Sequence, residues 1–361
     1  MTHRLTLALA LALGTAMPAY AQTSATPAAS QASNPFFVQS PLPLHYPQFD
    51  KITDADFAPA FDAGMAQQLK EIAAIADNPA KPSFDNTFVA LEQSGQLLDR
   101  ATSVFFNLVG TDTNDTRKQL QADYAGKFAA HRDAINLNGK LFARIQTLYD
   151  GRAGLGLDPQ SLRLVEKVYG DFVRSGAKLS DADKTRLKAM NAELATLSTK
   201  FSQNVLAEVN DSALVLDDAR QLDGLSAAEI AAAADEAKAR KLPGKYVLTL
   251  LNTTGQPPLT HLTDRATREQ LFKASVNRGS RGNAYDNTAI VARIMTLRAQ
   301  KAKMLGYPNY AAYSLENQTA KTPEAVNAML GKLAPAAVAN AKREAADLQA
   351  MICLLYTSPS P

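Results

Sequence analysis

The stretch SDADKTRLKAMNAELATLSTKFSQNVLAEV, Ser180 to Val209, sets Leu187, Met190, Leu194, Leu197, Phe201 and Val205 at successive intervals of three or four residues. Side chains so spaced share one face of an α-helix. Ser180 and Asp183 supply the residue types that open such a helix, because their side chains can satisfy its free N–H groups. At 1.5 Å per residue the helix spans roughly 45 Å. Its six apolar residues are expected to face the core.

The flanking sequence repeats the pattern. From Asp54, the residues Phe57, Phe61, Met65, Leu69, Ile72 and Ile75 form a second stripe, stopped by Asn78 and Pro79. A helix is expected over 91–108 with Leu91, Leu98, Ala101, Phe105 and Leu108 inward, and another from Thr116 with Leu120, Tyr124 and Phe128 inward. Ser226 and Glu229 read as a capping box for an alanine-rich helix that Lys241-Leu-Pro-Gly244 terminates. Tyr246–Leu251 has the length and content of a strand and is followed by turn-forming residues. Helices resume at 264–277 and 287–305, Thr322 and Pro323 form an N-cap and N1 pair, and an alanine-rich helix is expected over 334–352. The fold class is therefore all-α with a minor β element. No fixed-period repeat points to a solenoid.

Composition agrees with a globular protein. The 361 residues are 46% hydrophobic and 20% charged, and a net charge of +3 is too small a field to imply a nucleic-acid partner. Residues 1–21 read as a Sec-type signal peptide: Arg4 precedes an apolar run from Leu5 to Leu13, and Ala19-Tyr20-Ala21 is a small-x-small cleavage site. Export to the periplasm with cleavage after Ala21 follows as an expectation, with no membrane attachment afterwards. Residues 22–33 are expected to be a disordered tether. At the other end, Cys353 to Pro361 resemble a translated sequencing-library adapter and are expected to be foreign to the natural protein.

Chemistry is sparse. Beyond the signal peptide the histidines are His45, His131 and His261, none within five residues of another, so no His-Glu-x-x-His is present. Cys353, the single cysteine, falls in the adapter-like tail. Asp217 and Asp218 are adjacent and therefore diverge, which suits a solvated turn better than an acid–base pair. Gly154-Leu-Gly156 lacks the third glycine of a dinucleotide loop. Asn277-Arg-Gly-Ser-Arg-Gly282 offers two arginines that either hold an anion or serve as an ordinary helix cap, the reading favoured here. No catalytic, cofactor-binding or metal residue is assigned.

Several strings carry a resemblance. They include Asn34-Pro35, Phe57-Ala-Pro59-Ala-Phe61, Phe84-Asp-Asn-Thr87, Val104-Phe-Phe-Asn107, Leu250-Leu-Asn-Thr-Thr-Gly-Gln-Pro257, Asn277-Arg-Gly-Ser-Arg-Gly282, Tyr285-Asp-Asn287 and Ala320-Lys-Thr-Pro323. Together, in order from Asn34 to Ile352, they resemble the thimet oligopeptidase family of zinc metallopeptidases. Asn-Thr-Thr-Gly-Gln-Pro and Tyr-Asp-Asn point to its peptidyl-dipeptidase branch, with oligopeptidase A as the near relative. The resemblance implies a two-lobed helical fold around a channel, short unstructured peptides as substrate, release of C-terminal dipeptides, and a monomer when full length. It also implies one zinc held by a His-Glu-x-x-His and a later glutamate, all beyond the residues present here. On that basis 34–240 is expected to be the N-terminal helical lobe and 241–352 the start of the second, catalytic lobe. The chain alone is then expected to be inactive and to hold no zinc. The rival expectations are a noncatalytic helical peptide-binding or scaffold protein and an oligopeptidase A-like endopeptidase.

Overall fold

The computed structural model describes residues 34–251 and 255–357, with side chains to 354. The expected signal peptide at 1–21, the tether at 22–33, Asn252–Thr254 and residues 358–361 lie outside the described residues. Helices dominate: α1 Asp54–Ala76, α2 Gln96–Thr111, α3 Asp115–Asn136, α4 Gly139–Asp150, α5 Pro159–Arg174 and α6 Asp181–Asp211 come first. Strand β1, Leu214–Leu216, precedes α7, Ala227–Ala239, and β2, Tyr246–Leu248, follows it. Then come α8 Arg265–Val276, α9 Thr288–Met304, α10 Tyr310–Leu315 and α11 Pro323–Thr357. The all-α class with one small sheet is what the structure has. No helix among the described residues is long and apolar enough to cross a membrane.

Local capping sets most of the helix starts. Asn114 accepts from Arg117 N–H, Asn138 from Leu141 N–H and Ser180 from Asp183 N–H, each satisfying a donor that a first helical turn leaves free. Ser226 and Glu229 form the expected capping box. Two stops differ from the sequence reading. The helix expected over 91–108 is broken: Gln93–Gly95 form a turn, Gly95 takes φ +79°, and α2 begins only at Gln96. The helix expected over 334–352 is the later part of α11, which starts at Pro323 under a cap from Thr322 Oγ1 and runs through Pro335 past Cys353. Little packs against this helix, and Met329, Leu333, Leu348 and Met351 are exposed.

Three cores hold the elements together. Phe57 and Phe61 of α1 stack edge-on with Phe105 of α2, and Phe61 meets Tyr124 and Phe128 of α3 in the same manner. Gly64 lets α1 and α2 approach so closely that a Cβ there would lie 2.8 Å from the Leu98 Cα. A second core joins the end of α1 to α4 and α5 through Ile72, Ile145, Val165 and Phe172. Leu69, expected inward, is exposed; the neighbouring Gln68 turns in to meet His131 across 2.7 Å.

The third core gathers around the sheet. β1 and β2 pair antiparallel with Val215 opposite Val247, and Leu216, Leu222 and Leu225 pack with Leu248, Leu250, Leu262 and Leu271. Residues on both sides of 240 share this core. The strand itself is shorter than expected, ending at Leu248 rather than Leu251.

Helix α6 lies against α3 on one side and α9 on the other. Its stripe is less buried than its spacing suggests. Leu187 is fully buried, whereas Met190, Leu194, Leu197, Phe201 and Val205 are only half-covered. Two partner helices cannot enclose a stripe that runs the whole length of a helix this long. The other fully enclosed positions on α6 are polar, Asn204 and Glu208. Asn204 Nδ2 donates to Asn287 Oδ1 at 3.0 Å, and Asn287 Nδ2 donates to Phe201 O. Glu208 Oε1 takes Arg281 Nε at 3.0 Å and the Ser212 hydroxyl at 2.9 Å, while Oε2 takes Asn283 Nδ2 at 2.7 Å.

Two stability measurements follow from this packing. Leu187→Ala should lower the unfolding free energy by about 3 kcal/mol in urea titration, and Leu194→Ala by about half as much, because only the first empties an enclosed site. Arg281→Met should cost about 3 kcal/mol by leaving Glu208 buried and unpaired; adding Glu208→Leu should restore more than half of that loss. Equal losses in the first pair, or no rescue in the second, would contradict these assignments.

Candidate functional site

The sequence-picked polar residues come to rest in separate places. His45 Nδ1 lies 2.9 Å from Ser40 O in the exposed N-terminal segment. His131 is buried in α3 with Nε2 against Gln68, and burial, reinforced by the nearby Arg132 charge, holds its imidazole below the ordinary range. His261 ends the single helical turn Pro258–His261. Among the described residues there is no group of three or more histidine, cysteine, aspartate or glutamate side chains disposed to hold a metal ion. Zinc therefore has no fitting ligand set on the described part of this chain, and no catalytic step is assigned to it.

The arginines of the Asn277–Gly282 stretch have structural duties. Arg278 donates to the carbonyls of Ser275 and Leu251, and Arg281 to Glu208 and Ser212, while Gly279 and Gly282 take φ near +70°. The cap reading, favoured from sequence, fits Arg278, whereas Arg281 holds an anion, the buried Glu208 carboxylate of the chain itself. Asp218 caps the turn Ala219–Leu222 and Asp217 pairs with Lys245 at 2.7 Å, so the adjacent carboxylates do belong to a turn.

A groove of about 380 Å³ lies beside β2. Its walls are Leu225 and Ala233 on the α7 side, Val247 and Thr249 along the strand, and Pro257 and Pro258 beyond. Gln256 is tied to Leu251 and to α8: its Oε1 accepts from Leu251 N–H at 3.0 Å and its Nε2 donates to Leu251 O and to Ser275 Oγ, each at 3.2 Å. The sheet has only two strands, so one edge of β2 has no strand partner among the described residues. Two glutamates stand at the groove. Glu229 is engaged in the α7 cap, where Ser226 holds its carboxyl below the ordinary range, and Glu236 pairs with Arg240 at 2.7 Å. With its carboxylates so engaged, the groove presents largely apolar walls beside the strand, which suit an extended chain.

Sequence reasoning found β2 but missed β1. The signal was present in Leu214-Val-Leu216, a short apolar run bounded by Asp211-Ser212 and Asp217-Asp218. It also gave no hint of Glu208, whose burial depends on partners 73 and 75 positions away, Arg281 and Asn283.

Residues 258–354 match the model of Peptidase family M3. The chain is 48% identical over 319 residues to dipeptidyl carboxypeptidase of Escherichia coli (strain K12), a match covering 88% of this chain and 47% of that protein. Identity to dipeptidyl carboxypeptidase of Salmonella typhimurium is 45% over 320 residues, covering 89% of this chain and 47% of the relative. Oligopeptidase A of Escherichia coli (strain K12) is 26% identical over 313 residues, 85% of this chain and 46% of the relative. The chain spans about half the length of these curated relatives. Peptidase family M3 is thus the family that this chain resembles, and the likeness extends over most of its length.

Proposed function

We propose that this chain is the N-terminal part of an exported zinc metallopeptidase that takes short unstructured peptides and releases C-terminal dipeptides. The observation that carries the proposal is the 48% identity to a dipeptidyl carboxypeptidase over 88% of the chain. Identity near 26% to oligopeptidase A supports the dipeptide-releasing reading over an endopeptidase one. In this proposal the chain's own residues wall and orient the peptide, while the zinc and the residues that activate water lie in sequence beyond it. The groove beside β2, walled by Val247, Thr249, Pro257 and Pro258, supports such a role. Export rests on the leader-like residues 1–21.

The test is to extend the reading frame from the source gene and to assay both lengths on an N-blocked tetrapeptide. The extended protein should encode His-Glu-x-x-His, release the C-terminal dipeptide and lose activity to a chelator. The present chain should release none and bind no stoichiometric zinc. A continuation without the motif, or turnover by the present chain alone, would overturn the proposal.

A further inference from the structure

A second cavity, of about 400 Å³, lies where α3, α6, α9 and α10 meet. Its electrostatics are unlike those of the groove. Asp133 of α3 is 6% exposed; its Oδ1 accepts from Asn191 Nδ2 at 2.8 Å, and its buried Oδ2 has no hydrogen-bond partner. On the other side of Asn191, the amide oxygen accepts from Lys301 Nζ at 2.8 Å. Asn191 therefore stands between the two charges as a spacer, and Asp133 and Lys301 make no direct salt bridge.

Three cations line this cavity, Arg132, Lys301 and Arg298, against the single carboxylate of Asp133. Arg298 lies with its guanidinium 5.0 Å from the Tyr310 ring centroid, and Tyr313 forms part of the same wall. Arg132 and Arg298 make no salt bridge among the described residues; Arg132 is exposed and its charge acts on Asp133, while Arg298 is half-buried. The cavity thus combines an enclosed acceptor lacking a donor with three cations around one carboxylate. A water molecule serves the acceptor but leaves the excess positive charge unmatched. A ligand bearing both an ammonium and a carboxylate serves both.

We propose that this cavity is a binding site for a small zwitterion, a free α-amino acid or a dipeptide, with its ammonium on Asp133 Oδ2 and its carboxylate on Arg298 and Arg132. The volume falls at the lower end of the roughly 300–1,000 Å³ typical of ligand pockets, as a ligand of a few heavy atoms requires. Tyr310 and Tyr313 give its side chain an aromatic wall. Burial works against both internal charges, pushing the Asp133 carboxyl up and the Lys301 ammonium down. A second ammonium beside Asp133 relieves the first of these costs.

The site involves neither zinc nor turnover, so it stands or falls separately from the proposed function. The test is calorimetric titration of the purified chain with L-alanyl-L-alanine, its N-acetyl and C-amide derivatives, alanine and acetate. Dialanine or alanine should bind, the size preferred naming the dipeptide or the free amino acid as the ligand, and blocking either terminus should weaken binding at least tenfold. Asp133→Asn should abolish the penalty for N-acetylation, and Arg298→Gln the penalty for amidation. If either variant fails to retain the parent's melting profile, the derivative series on the unaltered chain decides. Absence of binding, equal binding of the blocked derivatives, or acetate binding as tightly as dialanine would overturn the proposal, the last in favour of a simple anion site.

Discussion

Glu208 is a carboxylate with no exposure to water, and the junction between the end of α6 and the loop before α9 is arranged around satisfying it. Removing such an ion from solvent costs several kcal/mol unless charge and hydrogen bonds replace the lost hydration. Arg281, Ser212 and Asn283 do so, and in doing so they fasten the end of α6 to the loop before α9. Asn287, at the start of α9, is tied to α6 by Asn204 and Phe201 O. The angle at which α9 leaves the loop is therefore set by polar groups, which tolerate fewer arrangements than an apolar contact of the same area.

This explains which parts of the molecule were legible in advance. Helix α6 announces itself because apolar spacing and a capping side chain agree at its start, while α1 and α3 are legible from spacing alone and α7 from its capping box. Elsewhere a single signal misleads. Leu91 and Leu98 fit a common helical period, yet Ser94 and Gly95 break it, and Gly95 N–H is held instead by Glu71 at 2.7 Å. Periodicity says which residues share a face but not whether a partner covers that face. For that reason Leu187 and Leu194 look equivalent in sequence and differ in burial. Strand β1 is too short to carry a period at all; it exists because β2 pairs with it.

The strings that carried the family resemblance prove to be scaffold. Asn34 accepts from Phe36 N–H and donates to Asp56 O, anchoring the N-terminal segment to α1. Asn86, in Phe84-Asp-Asn-Thr87, receives Arg144 at 2.7 Å. Gln256 bonds both main-chain groups of Leu251, and Arg281 neutralises Glu208. At each of these positions hydrogen bonds must be met in one geometry, whether or not chemistry takes place nearby. A likeness built on them speaks strongly for a shared fold, while function requires the site itself.

Helix α6 carries both kinds of polar cluster, about five turns apart. Around Glu208 both carboxylate oxygens have partners supplied by the chain. Around Asn191 the network is open: Asp133 Oδ2 lacks a donor, and the facing arginines make no salt bridge among the described residues. The carboxylates at the two centres, Glu208 and Asp133, are both buried, so burial alone does not separate a structural network from a binding one. Satisfaction does. A closed network lowers the free energy of the fold by its own internal bonds, whereas an open one lowers it fully only when something else arrives to complete it.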